Sequence, residues 1–209
     1  MVKYKLVYFD IRGIGEPLRL MFHFAGLDFE DVRYNFENYK EYKATTRYGL
    51  IPALELNDGR TLYESHVIGQ YLAQQFGLNG GDDWEAAKIA EVASYHRGIG
   101  EQVKNYFRSF APIFSFDDKQ RDEFKRQAVE ALDEALPIYE KIIDESGSGY
   151  ISPSGVTWID FFVSESFITI QNLLPKVAAK FPKLGEYVKR LQSHPKLKDY
   201  YEMRKFTPI

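Results

Sequence analysis

The chain has 209 residues, is 44% apolar, carries a formal charge of -3 and contains no cysteine. That composition supplies a folded core and leaves no thiolate for a disulfide, a metal site or a nucleophile. Acidic and basic residues are interspersed, the start of the chain lacks an apolar leader core, and no apolar run approaches the ~20 residues that span a bilayer, so neither nucleic acid nor membrane is an expected partner and the cytoplasm is the expected location.

Residues 2–9 alternate apolar and charged, as a strand does. A loop with Gly13 and Gly15 follows. Glu16 and Pro17 then open a helix that Gly26 stops. Residues 28–34 read as a second strand and the polar stretch 38–46 as a helical connection. Residues 53–56 and 60–63 flank Asn57, Asp58 and Gly59, a hairpin signal. Ser65 is expected to cap a helix running to Phe76. The order is β-α-β-α-β-β-α. Residues 78–83, rich in Gly and Asp, read as a linker. Beyond them the pattern is helical: 84–108, 118–144, 157–174, 184–193 and 195–201. Thr157 and Asp160 have the spacing of a capping box. The expected domains are 1–77 and 84–209. Among His23, His66, His96 and His194 no pair has i, i+4 spacing, so no metal is expected. Aromatics make up 16% of the chain, which fits a large aromatic core or an apolar ligand pocket.

The element order describes a thioredoxin-like fold with Tyr8 near the place where such folds often carry a Cys-x-x-Cys pair. Tyr8-Phe-Asp-Ile-Arg12 with Gly13, Gly15, Glu16 and Pro17, then Tyr48-Gly-Leu-Ile-Pro52, Glu64-Ser65 and Val156-Thr-Trp-Ile-Asp160 run in order along the whole chain. Together they resemble the cytosolic glutathione S-transferases, most closely the sigma class in its nematode-type branch. The resemblance implies an α/β N-terminal thioredoxin-like domain, an all-α C-terminal helical domain and a homodimer. It implies conjugation of glutathione, a co-substrate rather than a bound cofactor, to small hydrophobic electrophiles.

It also implies residue roles. The Tyr8 phenol donates to the glutathione sulfur and favours the thiolate; read without the motif, Tyr8 is a strand tyrosine packed on the core. Ile51 and Pro52, joined by a cis bond in the family, offer backbone groups to the cysteinyl part. Glu64, Ser65 and the helix N-terminus hold the γ-glutamyl end. Tyr39 and Lys43 hold the glycine carboxylate, and Leu50 lines the same site. Relatives often carry Gln at position 64, Lys or Gln at 50, Arg at 14 and Asp at 98, where this chain has Glu64, Leu50, Ile14 and Gly98. Glu64 is expected to supply the carboxylate for the γ-glutamyl amine that Gly98 no longer can. Aromatics in 106–116 and the tail 206–209 wall an electrophile site or pack helices. Two rivals on the same fold stay open: a non-catalytic carrier of haem or other hydrophobic ligands, and a structural protein.

Overall fold

The computed structural model describes residues 3–111 and 114–209. Val2, at the start of the first predicted strand, and Pro112 and Ile113 of the aromatic loop lie outside them. A mixed four-stranded sheet has the order β2-β1-β3-β4. Strand β1 (Tyr4–Phe9) is central, with Leu6, Val7 and Tyr8 buried. Strand β2 (Glu30–Tyr34) is the parallel edge, and its charged Glu30, Asp31 and Arg33 suit an edge. Strands β3 (Ala53–Leu56) and β4 (Thr61–Tyr63) form the expected hairpin, with Gly59 at φ 86° in its turn. Helix α1 (Glu16–Ala25) begins at the expected proline and ends at Gly26, φ 66°. Helices α2 (Tyr39–Lys43) and α3 (Ser65–Phe76) complete this layer.

The rest is helical: α4 (Asp83–Arg108), α5 (Asp118–Ser146), α6 (Trp158–Leu173), α7 (Pro175–Ala178), α8 (Pro182–Gln192) and α9 (Lys198–Met203). Helix α6 is buried along most of its length, the mark of a central helix. It packs on α1 and α3, so sheet layer and helical layer share one core. The Phe24 and Phe161 rings meet at 5.6 Å across that seam. Helix α7 was not expected; Pro175 starts one extra turn after Leu174. Helix α9 starts later than predicted because residues 194–197 first close a turn, Leu197 N–H to His194 C=O at 2.8 Å.

Ser65 does not cap α3. It is the first helical residue, and Glu64 holds the cap position at φ 68°, ψ 114°, with no side-chain cap bond. The predicted capping box at Thr157 and Asp160 does form. The fully buried carboxylate accepts from the Thr157 N–H (2.8 Å), the Thr157 hydroxyl (2.8 Å), the Ile151 N–H (2.9 Å) and the Tyr187 hydroxyl (3.0 Å). Burial nonetheless pushes its pKa up to about 6, outweighing those donors.

Candidate functional site

Strand register gathers the sequence-predicted residues at one end of the sheet. Val7 pairs with Ala53, and Ala53 pairs with Tyr63. One residue further along each strand, Tyr8, Pro52 and Glu64 stand together at that end, with the α3 N-terminus beside them. Strand β2 runs parallel to β1 with Phe9 opposite Tyr34, so the chain leaving β2 toward Tyr39 and Lys43 departs from the same end. The Phe9 and Tyr39 rings touch, 4.8 Å between centroids.

Tyr8 is 6% exposed. The Ile14 N–H donates to its hydroxyl oxygen at 3.3 Å, and among the described residues that hydroxyl donates to nothing. Burial raises the phenol's pKa, although the Ile14 N–H, Arg19 and Arg108 pull it down. The group is therefore neutral near pH 7 and has a proton to offer. The two loop glycines are explained by close approach. A Cβ at Gly13 would lie 2.6 Å from the Tyr8 hydroxyl, and one at Gly15 2.3 Å from ring carbon Cδ1. Gly15→Ala should push the ring aside, losing activity and about 1–3 kcal/mol of stability; urea unfolding and a turnover assay of the purified variant check both.

Buried charges support this loop in a way sequence reasoning missed. Arg19 is wholly buried on α1. It donates to the Phe9 carbonyl (3.0 Å), the Ile11 carbonyl (2.8 Å), Glu16 (3.1 Å) and both oxygens of Asp31 (3.1 Å). Its guanidinium lies 5.8 Å from the Tyr8 ring centroid. Arg12, 4% exposed, pairs with Glu165 of α6 at 2.7 Å. The one signal was a cation set between Leu18 and Leu20 on an apolar helix.

The remaining predicted residues divide. The Ile51–Pro52 bond is cis, and the Ile51 N–H and C=O are unpaired among the described residues. Glu64 is exposed and is the only non-glycine residue with positive φ among the described residues, a conformation that costs ~1–3 kcal/mol and is retained where a site needs it. Ser65 is buried, and the first backbone bond into α3 is Ile68 N–H to Glu64 C=O. The N–H groups of residues 65–67 are thus open to an anion. Tyr39 commits its proton to the Gly49 carbonyl at 2.8 Å; to hold a carboxylate it must release that bond. Lys43 is exposed, lies along Gly49 and makes no ion pair among the described residues. Leu50 is 55% exposed.

Of the aromatics near α4, Tyr106 is buried and donates to the Leu173 carbonyl (3.4 Å), a packing role, whereas Phe110 and Phe114 are exposed. Arg108 ends α4, its guanidinium 5.7 Å from the Phe114 ring centroid. In the tail, Phe206 is exposed and Thr207 buried. Gly98 faces open space. A cavity of about 340 Å³ borders the loop after β1, lined by Asp10, Arg12, Glu16, Arg33, Arg204 and Thr207 among others but not by Tyr8. Its charged walls suit water better than an apolar electrophile. Among the described residues no cluster of three or more His, Asp or Glu is placed to hold a metal, and no helix is long and apolar enough to cross a membrane.

Comparison with known proteins matches residues 4–74 to the family described as the glutathione S-transferase N-terminal domain and residues 104–204 to its C-terminal domain. Glutathione S-transferase 1 of Ascaris suum is 36% identical over 208 residues, all of both chains. A solved glutathione S-transferase from Ascaris lumbricoides superposes with a TM-score of 0.89 at 35% identity, over 99% of this chain and 100% of that one. A Nu-class transferase from Haemonchus contortus gives 0.83 at 33%, and a sigma-class one from Fasciola hepatica 0.86 at 27%; both cover this chain in full and 100% and 99% of their own.

Proposed function

Because this chain belongs to the glutathione S-transferase family, whose members use glutathione as co-substrate, we propose that it conjugates the glutathione thiolate to small hydrophobic electrophiles, with Tyr8 as the activating residue. The observation that carries the reading is the neutral, buried Tyr8 phenol with an unspent proton at the sheet end where a cis-proline and a helix N-terminus converge. A thiol has a pKa of ~8.5, so only a few per cent ionises at neutral pH. A donor aimed at the sulfur stabilises the charged form alone and lowers that pKa. The sulfur is the substrate's own, which suits an enzyme without cysteine. Arg108 adds positive potential near the phenol, in place of the arginine absent at position 14.

Residues 1–77 then form the glutathione-binding domain and 84–209 the helical one. The unpaired Ile51 backbone binds the cysteinyl unit beside Pro52. Ser65 and the open N–H groups of α3 take the γ-glutamyl carboxylate, Glu64 takes its amine, and Lys43 with Tyr39 and Leu50 border the glycine end. Phe110 and Phe114 face the electrophile. A cytoplasmic homodimer of the nematode-type branch is the assembly the resemblance implies, and the exposed Tyr48 and Val67 supply apolar surface for it. The carrier reading is less favoured, since the relatives are named as transferases.

Turnover of a chloronitrobenzene, followed by absorbance of the conjugate, tests the activity. Saturable dependence on glutathione is expected; binding of glutathione without turnover would favour the carrier. Glu64→Gln should weaken glutathione binding about two- to fivefold, the scale of an exposed charge pair, by calorimetric titration; unchanged or tighter binding would remove Glu64 from the amine site.

A further inference from the structure

The chain's C-terminal segment grips the loop that shapes Tyr8 from both ends. The loop is residues 12–16. Its three middle residues, Gly13, Ile14 and Gly15, are the ones that meet the phenol. Its two flanking residues, Arg12 and Glu16, turn away and are buried. At the first flank, the Arg12 N–H donates to the Thr207 hydroxyl (3.1 Å), Arg12 Nε to the Thr207 carbonyl (3.0 Å) and a terminal nitrogen to the Pro208 carbonyl (3.0 Å). The Thr207 hydroxyl in turn donates to the Ile209 carbonyl (2.6 Å). At the second flank, Glu16 accepts from the Tyr200 hydroxyl (2.9 Å) and from Arg204 (3.0 Å). Arg204 also pairs with Glu165 (2.8 Å), the carboxylate that holds Arg12. The two grips thus close through Glu165 and Arg204 into one ring.

We propose that residues 200–208 act as a clamp that positions Tyr8, with Thr207 and Tyr200 as its positioning residues. The physical ground is that a buried ion-pair ring contributes little net stability, because desolvating its charges offsets their attraction, whereas it fixes geometry firmly. What it fixes here is the Ile14 N–H, at 3.3 Å from the phenol oxygen. That bond fills one lone pair and orients the hydroxyl, so that its proton points to an incoming sulfur. Loosening either grip lets the loop drift, and angular error at a donor weakens it steeply. The clamp touches neither glutathione nor the electrophile in this scheme. It acts on thiol activation and not on affinity.

The inference rests on Tyr8 being the activating residue, and the test separates the two. Thr207→Val deletes the hydroxyl at one flank and Tyr200→Phe the hydroxyl at the other, the phenyl ring keeping the stack on His23 (3.9 Å between centroids). Thr207→Ser keeps the bond and serves as the rescue. The readouts are the pKa of bound glutathione, from ultraviolet thiolate absorbance against pH, and the dissociation constant of glutathione. Thr207→Val should raise the bound thiol pKa and lower kcat about threefold, the scale of one neutral hydrogen bond, and Tyr200→Phe, whose lost hydroxyl bonds the Glu16 carboxylate, should do so by at least as much, with the dissociation constant within a factor of two in both. Thr207→Ser should match the native protein. A thiol pKa unmoved in both variants, while Tyr8→Phe moves it, would overturn the clamp and leave Tyr8 standing. A pKa unmoved in Tyr8→Phe as well would overturn the Tyr8 reading itself. Weaker glutathione binding in step with lower kcat would also overturn the clamp, as general loosening of the fold.

Discussion

Tyr8→Phe should lower kcat/KM about 10- to 100-fold while the glutathione dissociation constant stays within a factor of about two. The magnitude follows from what is removed. A hydrogen bond to a charged partner is worth ~1.5–3 kcal/mol, and each 1.4 kcal/mol is tenfold. The selectivity follows from where the phenol acts. On the proposed reading it distinguishes thiolate from thiol, while the backbone of Ile51, the α3 N-terminus and Lys43 would bind the rest of the tripeptide. The ring is buried against Gly13 and Gly15, and phenylalanine fills the same space, so folding should be intact. Steady-state kinetics with varied glutathione, beside calorimetric binding, separates the two quantities. Equal losses in binding and turnover would mean that Tyr8 holds the peptide and does not activate it.

The largest stability effect is expected far from this chemistry, at Asp160. Its carboxylate is the acceptor for two backbone N–H groups, from Ile151 and Thr157, and for two hydroxyls. It therefore joins the start of α6 to the loop before it and to α8. Asp160→Ala strands the two backbone N–H groups and the Thr157 hydroxyl in the core at ~1–3 kcal/mol apiece, while the Tyr187 hydroxyl keeps the backbone carbonyl of residue 160 (3.0 Å). Part of that loss is returned, because the buried charge is itself unfavourable: its raised pKa says so. The net expectation is a loss of about 3 kcal/mol, a large share of the ~5–15 kcal/mol of a typical domain. A drop in the urea midpoint with an unchanged slope would show it. Asp160→Asn keeps one acceptor oxygen and should lose less. A loss under ~1 kcal/mol in the alanine variant would mean that water satisfies the donors.

What the sequence made legible was local. The Gly59 hairpin, the proline-started α1 and the reach-back from Asp160 each depend on residues within a few positions of one another, and their chemistry is sufficient to specify them. Tyr8, Pro52 and Glu64 could be named from motif, and strand register explains why they stand together. Three things were not legible. Ser65 looks like a cap by residue type, but the sheet end delivers the chain to α3 through a positive φ at Glu64, a choice imposed by β4 and not by local propensity. Arg12 and Arg19 look like solvated charges, because their burial depends on partners elsewhere; Glu165 lies 153 residues beyond Arg12. Such pairs carry no periodic signal, and only the fold brings them together. The same holds for Tyr39, whose hydroxyl is spent on Gly49, a bond that residue type alone does not announce.

Thiol activation by Tyr8 is most directly tested by titrating the thiolate absorbance of glutathione bound to the native protein. The account predicts an apparent pKa well below the ~8.5 of a free thiol, returning toward that value in Tyr8→Phe. A bound thiol that titrates near ~8.5 in the native protein would contradict it, and would leave a glutathione-binding protein whose phenol does no chemistry.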